Sequence, residues 1–475
     1  MGAASYGSKA REFQVRSLLA ISRSPSPLAF LQALPRGSRP VLLHGSAGGA
    51  SLLAWNPDRL LEGCMQPALG LNAADHGSPR PWPYGAEDPA RLLEAAWQTE
   101  DWQADESGSL LGPAWIGWFG WACSHAYERW PWLPRAGHGL PDWSFARYRT
   151  AVRFEEDGSA RLLHAGLPDP ATDSALTSDF LALSERAGSA AFAPLPAPLL
   201  HAQDTGQNFR RGVRQLRAWI GAGELYQANL SHELSGPFTA DPRDLFSQLA
   251  GKQPTRMSAY WEDAAGRALL SQSPERFLAV CGDQLETRPI KGTAARGARA
   301  LEDAAAARRL EESAKERAEL AMIVDMARND LGRIALAGGV EVTSAGAVES
   351  FPTLHHRTAT VRARWEARRG FAQLWRAVFP PASVSGAPKV RALQAIAELE
   401  EVDRGPYCGA LGWWRPGSSP GGDFSVLIRT AVAAQGTLSL RVGAGIVWDS
   451  EPDREWRETL LKACYLAPAL VNGAH

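Results

Sequence analysis

A chain of 475 residues with 45% hydrophobic content can bury a large core and is not a disordered polypeptide. Its formal charge of −1, with 50 basic and 51 acidic residues of mixed sign, leaves no basic footprint for nucleic acid and points to small-molecule chemistry. Five cysteines, odd in number and without CxxC spacing, argue against a disulfide framework or a structural zinc site, and a reducing cytoplasm fits them. No run approaches membrane-spanning length, and the apolar piece at residues 18–21 is too short for a signal-peptide core.

In chain order, residues 40–55 read as an apolar strand, a Gly/Ser/Ala turn and a second apolar piece, and the Pro/Gly/Ser-rich residues 74–90 as a surface loop. Residues 114–121 alternate small and aromatic side chains as a buried strand would. Residues 148–154 and 160–164 predict a hairpin. The proline-punctuated residues 166–204 read as a linker between an N-terminal domain, 1–200, and a second domain, 205–470. Beyond it the pattern predicts a helix over 207–222, strands over 271–280 and 284–288, and one long helix from 298 to about 328. A helix over 388–401, strands over 424–433 and 437–442, and a final helix over 452–463 complete the series. Strands in hairpins with helices between groups of them predict α+β architecture with antiparallel sheets. The 18 tryptophans are read as packing residues rather than a ligand cage.

Of the 50 basic residues only six are lysine: Lys9, Lys252, Lys291, Lys315, Lys389 and Lys462. A guanidinium stays charged, whereas an amine can lose its proton and act as a nucleophile, so Lys291, in what reads as a tight Pro289-Ile290-Lys291-Gly292-Thr293 loop, draws notice. Taken alone, a solvated loop lysine is the commoner outcome. Glu316 and Glu319 share a helix face, as do Glu455, Glu458 and Lys462, so two carboxylate pairs can converge. Hard oxygen donors without a His/Cys cluster suit Mg²⁺, although such spacing by itself is ordinary salt-bridge decoration. The small-residue loop Gly386-Ala387-Pro388-Lys389 offers a helix N-terminus to an anion, Gly443-Ala444-Gly445 permits close backbone approach, and Arg429 carries a planar fork suited to carboxylates. Together these outline a pocket for a small acidic substrate.

Ordered signatures run through the second half: Gly223-Glu224-Leu225-Tyr226-Gln227-Ala228-Asn229-Leu230, Ser273-Pro274-Glu275-Arg276-Phe277, Arg288-Pro289-Ile290-Lys291-Gly292-Thr293, Ala318-Glu319, Arg328-Asn329-Asp330-Leu331-Gly332-Arg333, Ser385-Gly386-Ala387-Pro388-Lys389, Tyr407-Cys408-Gly409, Ile428-Arg429-Thr430 and Gly443-Ala444-Gly445-Ile446-Val447. The chain resembles the chorismate-utilising enzymes, which include anthranilate, aminodeoxychorismate, isochorismate and salicylate synthases. The resemblance implies the anthranilate-synthase-like fold, two antiparallel sheets packed as a sandwich with helices outside. It implies a catalytic set of Lys291, Glu275 and His356, and substrate contacts from Arg429, Tyr407, Gly443, Ala444, Gly445, Lys462, Gln227 and Thr293. It further implies Mg²⁺ on Glu319 and Glu458 with Glu316 and Glu455 in support. Leu42, Leu43, His44, Gly45 and Ser46 match the region where members of the family bind tryptophan.

Within the family, members that add water carry a basic lysine where this chain has Gln227, and an amide cannot serve as a general base. Lys291, against an alanine in anthranilate synthases, makes the resemblance strongest to component I of aminodeoxychorismate synthase. That resemblance implies ammonia from a separate glutamine amidotransferase subunit, a downstream aminodeoxychorismate lyase, and a product leading to 4-aminobenzoate and folate. A neutral Lys291 is required, and Arg288 and Arg296 are its cationic neighbours in sequence. Arg357, Ala359, Ala382 and Ser425 depart from the family pattern. The competing readings are an anthranilate synthase component I and a non-catalytic chorismate- or tryptophan-binding regulatory subunit.

Overall fold

Alternation along the strands sorts the apolar side chains into two layers. Val41 and Leu43 join one apolar cluster and Leu42 the other, and the same split separates Ile116 and Trp118 from Trp115 and Phe119, and Ala259 and Trp261 from Tyr260. The first cluster fills the space between two sheets, where Trp118 of one meets Trp261 of the other edge to face at 5.8 Å. The second lies on their outer faces beneath the helices, as where Phe371 and Trp375 of the Gly370–Val378 helix pack on Phe119 and Phe424. A computed structural model describes residues 11–45, 49–65, 88–103, 105, 108–190, 194–202, 205–252, 255–350 and 354–472.

Among the described residues twelve strands form one sheet and ten the other, with antiparallel ladders throughout both. Residues before and after position 200 each supply one contiguous block to each sheet. The blocks are joined by the Val41–His44 strand on Met257–Glu262 and the Ala114–Phe119 strand on Ala410–Arg415. No helix among the described residues is long and apolar enough to cross a membrane.

At three places, Arg149, Pro274-Glu275 and Leu427-Ile428-Arg429, the chain passes from one sheet to the other within three residues or fewer. Three expected strands are therefore divided. Tyr148 ends the Trp143–Tyr148 strand of one sheet before the Thr150–Phe154 and Ala160–Ala165 hairpin of the other. The expected strand over 271–280 is Ala268–Ser273 and Arg276–Cys281, and that over 424–433 is Gly421–Val426 and Thr430–Ala434. Backbone bonds lock the second and third crossings side by side: Gln272 N–H donates to Arg429 O at 2.9 Å and Val426 N–H to Glu275 O at 3.1 Å.

Other expectations are corrected as well. The supposed linker contains the Pro170–Gly188 helix, whose proline occupies the tolerated first turn and whose Phe180, Leu183 and Ala187 face the core. The single helix over 298–328 is two, Ala300–Glu312 and Ala314–Gly332, because Ser313 leaves helical geometry and accepts from Glu316 N–H at 3.3 Å as an N-cap. Lys291 lies not in a loop but on the Ile290–Ala295 strand, at a register shift where Gly292 takes φ +77°. Of the expected loop over 74–90, residues up to 87 lie outside the described ones, and Asp88 caps the Pro89–Trp97 helix.

A buried ion pair ties the two blocks together. Arg243 and Glu262, each 1% exposed, meet at 2.8 Å, and Arg243 also donates to the carbonyls of Leu31, Leu34 and Pro35. Removing one partner strands the other charge, so Glu262→Ala is expected to cost about 3–5 kcal/mol. Urea unfolding checks this, and an unchanged midpoint would contradict a desolvated pair.

Candidate active site

Glu275 and Arg429 are presented by the two adjoining sheet crossings, and Lys291 by the strand that starts two residues after Arg288. The residue keeps part of its surface but its amine is enclosed. A Cβ built on Gly445 would stand 2.6 Å from Gln227 Nε2 and 3.4 Å from Lys291 Nζ, which places all three together and requires the missing side chain. Burial pulls the Lys291 ammonium below its ordinary value; Lys462 adds to that, while Glu319, Glu275 and Glu458 oppose it. The expected cationic neighbours are otherwise engaged, Arg288 with Glu349 and Arg296 with Asp303.

Burial pushes the Glu275 carboxyl up to about 7, against hydrogen bonds from Ser383 and the Ile290 N–H and the charge of Lys291. The sequence reading passed over Ser383, whose Oγ lies 2.6 Å from Glu275 Oε1, because a serine in a short turn carries no chemical signal of its own. His356 pairs with Thr293, Nδ1 to Oγ1 3.0 Å, and burial, with Arg429 adding, lowers its imidazole to about 4, so it is neutral at pH 7. Burial also lowers the Arg429 guanidinium from its ordinary value.

Lys462 links the Pro452–Ala463 helix to the glycine turn, donating to Gly443 O at 2.9 Å and pairing with Glu458 at 2.9 Å. Tyr407 faces the same turn, its hydroxyl 2.8 Å from where a Cβ on Gly443 would be, and Ala444 between the glycines is fully buried. Burial raises the Glu316 and Glu455 carboxyls; Glu319 and Glu458 add to the first and Glu458 to the second. Burial also raises Glu458, but Lys462, then Lys291 and Lys315, bring it net below its ordinary value. Lys315 lies 3.7 Å from Glu319. The charges on the two helices thus act on one another.

Among the described residues no three His, Cys, Asp or Glu side chains stand close enough to hold a metal by themselves. Mg²⁺ asks for less, one or two carboxylates completed by water and substrate oxygens, and Glu316 and Glu455, each raised by burial and in part by the nearby Glu458 charge, sit in an acidic field that such a cation relieves.

Residues 71–468 match the family described as chorismate binding enzyme. The chain belongs to the chorismate-binding enzymes. It is 34% identical over 391 residues to aminodeoxychorismate synthase component 1 of Escherichia coli, spanning 79% of this chain and 81% of that protein. It is 35% identical over 364 residues to anthranilate synthase component 1 of Streptomyces coelicolor, spanning 73% and 71%. The solved anthranilate synthase component I of Streptococcus pneumoniae superposes with a TM-score of 0.72 at 27% identity, covering 87% of this chain and 91% of that one. The expected anthranilate-synthase-like α+β fold is the one observed.

Two further motifs of this chorismate-binding chain have structural partners. The Gly386-Ala387 backbone pairs with Ala228 and Gln227, and Lys389 donates to Asp330 at 2.8 Å. Leu42 and Leu43 are core residues, His44 and the Gly45 N–H bond to Ser51 Oγ at 2.9 and 3.1 Å, and Ser46 lies outside the described residues. Gly45 borders a cavity that also meets Pro274 and Ile290, each one residue before a candidate catalytic group. Among the departures, Arg357 donates to Leu310 O and Glu311 O at 3.0 and 2.8 Å, closing the end of the Ala300–Glu312 helix, and Ser425 donates to Leu411 O at 3.1 Å.

Glu275 leaves a signature in stability. Its carboxyl titrates at 4.5 in the unfolded chain and about 7 in the fold, so between those pH values the unfolded chain has released a proton the fold retains. Its contribution is full below the lower value, falls by about 3 kcal/mol as pH rises through the window, and is flat above it. Glu275→Gln is expected to lack this decline; urea unfolding of both proteins at pH 5 and 8 measures the difference, and parallel pH dependences would contradict the raised carboxyl.

Proposed function

We propose that this chain is the chorismate-converting component of an aminodeoxychorismate synthase, forming 4-amino-4-deoxychorismate from chorismate and ammonia. The observation that carries the reading is Lys291: an enclosed amine held toward its neutral form, with the elevated carboxyl of Glu275 in the same field. Arg429, Tyr407, Lys462, Thr293, Gln227 and the Gly443-Ala444-Gly445 backbone would hold the substrate. Mg²⁺ held by Glu319 and Glu458, with Glu316 and Glu455 on its waters, would shield the ring carboxylate and cancel the negative charge that favours protonated Lys291.

The Lys291 lone pair forms a bond to ring carbon two as the double bonds shift and the bond from carbon four to its hydroxyl breaks, the hydroxyl leaving as water with the proton of Glu275. His356, neutral, orients the ring. Ammonia then bonds to carbon four, the double bonds return, and the electron pair goes back to Lys291; the extra proton of the new ammonium passes to the Glu275 carboxylate. A partner glutamine amidotransferase would supply the ammonia in the cytoplasm, and a lyase would convert the product to 4-aminobenzoate for folate. The relatives named component 1 support a second component.

A second reading, anthranilate synthase component I, is favoured by the comparable identity to the Streptomyces coelicolor protein. Product analysis by mass spectrometry, with chorismate, Mg²⁺ and ammonium at alkaline pH, decides between them. Aminodeoxychorismate is expected, and its loss by at least a hundredfold in Lys291→Ala with chorismate still bound, on the order of what covalent and acid–base groups contribute. Anthranilate would establish the second reading, and full activity in Lys291→Ala would remove the covalent step. Glu458→Gln is expected to raise the Mg²⁺ concentration for half-maximal activity roughly tenfold or more and to lower turnover; an unchanged titration would take Glu458 out of the metal site.

A further inference from the structure

The Glu275 carboxyl borders a small cleft of about 30 Å³ whose other walls are mostly apolar, among them Phe277, Ile323, Leu331, Val378 and Val426. Of the polar groups there, Asp330 is held by Lys389 at 2.8 Å. Ser383 instead reaches the carboxyl, its Oγ–H donating to Glu275 Oε1 at 2.6 Å. The turn that carries it, Ala382–Val384, is fixed from three directions. Ser385 Oγ donates to Pro381 O at 3.1 Å, Asn229 N–H to Ser385 O at 2.9 Å, and Arg404 Nη1 to Val384 O at 3.3 Å. Arg404 is itself locked in a fully buried pair with Glu400 at 2.7 Å.

We propose that Ser383 is a positioning residue for Glu275: its hydroxyl pins Oε1, leaving Oε2 as the oxygen that carries the proton to and from the reacting carbon's substituent. The proposal rests on the reading of Glu275 as the proton donor. A carboxyl has two equivalent oxygens, and rotation about its last bond would send the proton into the cleft as readily as toward the substrate. A rigid donor on one oxygen removes that choice. The same bond stabilises the ionised form: Ser383 is the largest of the influences opposing burial at Glu275, ahead of Lys291 and the Ile290 N–H. A carboxyl in an apolar cleft would otherwise hold its proton too firmly to release it and take it back near neutrality. The charged groups around it are Lys291 and, on the same cleft wall, Asp330 with its partner Lys389.

The experiment compares Ser383→Ala, Ser383→Thr and Glu275→Gln with the native chain, following kcat, KM and their pH profiles, and titrates the Glu275 carboxyl by infrared spectroscopy without substrate. In Ser383→Ala, kcat is expected to fall roughly ten- to a hundredfold with KM within about twofold. The Glu275-linked limb and the infrared titration should both move up by roughly half to one pH unit, the worth of one hydrogen bond. Threonine, which keeps the hydroxyl, is expected to restore both. Native kinetics and titration in Ser383→Ala beside an inactive Glu275→Gln would overturn the proposal alone, as would equal losses in the alanine and threonine variants with unmoved pH profiles, the mark of packing. Full activity in Glu275→Gln is a separate result that would remove the proton-donor reading itself.

Discussion

Everything at this site depends on the chain changing sheets at two neighbouring places. Where Ala268–Ser273 gives way to Arg276–Cys281, and Gly421–Val426 to Thr430–Ala434, the backbone turns out of one ladder and into the other, and the two turns bond to each other through Gln272, Arg429, Val426 and Glu275. A side chain at such a turn belongs to the pleat of neither ladder. Glu275 and Arg429 occupy those positions, so a buried acid and a largely enclosed cation are presented by adjoining backbone turns. Arg429 takes φ +49° to do so, a conformation the flanking ladders must hold.

Electrostatics follow from that burial. Enclosure costs the charged form of any group, raising Glu275 and lowering Lys291, so burial moves a neighbouring acid and amine toward their neutral forms while their mutual attraction opposes it. The acidic pairs of the two helices pull the other way on Lys291, and Lys462 partly answers them. The amine therefore sits at a balance that a change in any one of these charges tips.

Much of this was legible in the sequence, for identifiable reasons. Lys291 stood out because the chain writes its surface in arginine, and the glutamate pairs because spacings of three and four define a helix face. The sheet crossings were not legible. Ala268–Ser273 and Gly421–Val426 are buried at every position, so there is no alternation whose change of phase would betray a change of sheet, and each run reads as one strand. The break at Ser313 was hidden by helix-forming residues on both sides, and the Pro170–Gly188 helix by prolines that in fact mark its start. Ser383 acquires meaning through a contact 108 positions away along the chain.

The seams between the two sequence blocks bear on how freely such chains can trade parts. Among the described residues each sheet joins its blocks through a single ladder, four pairings between Val41–His44 and Met257–Glu262 and five between Ala114–Phe119 and Ala410–Arg415. A chimera that exchanges the first 200 residues between relatives must reproduce both registers at once, along with the Trp118–Trp261 contact between them. A shift of one residue at either seam would turn every side chain beyond it to the opposite face. Interchange in this fold is therefore a matter of whole halves with matched seams, and the seam at Leu42 and Leu43 runs beside the cavity bordered by Gly45, Pro274 and Ile290.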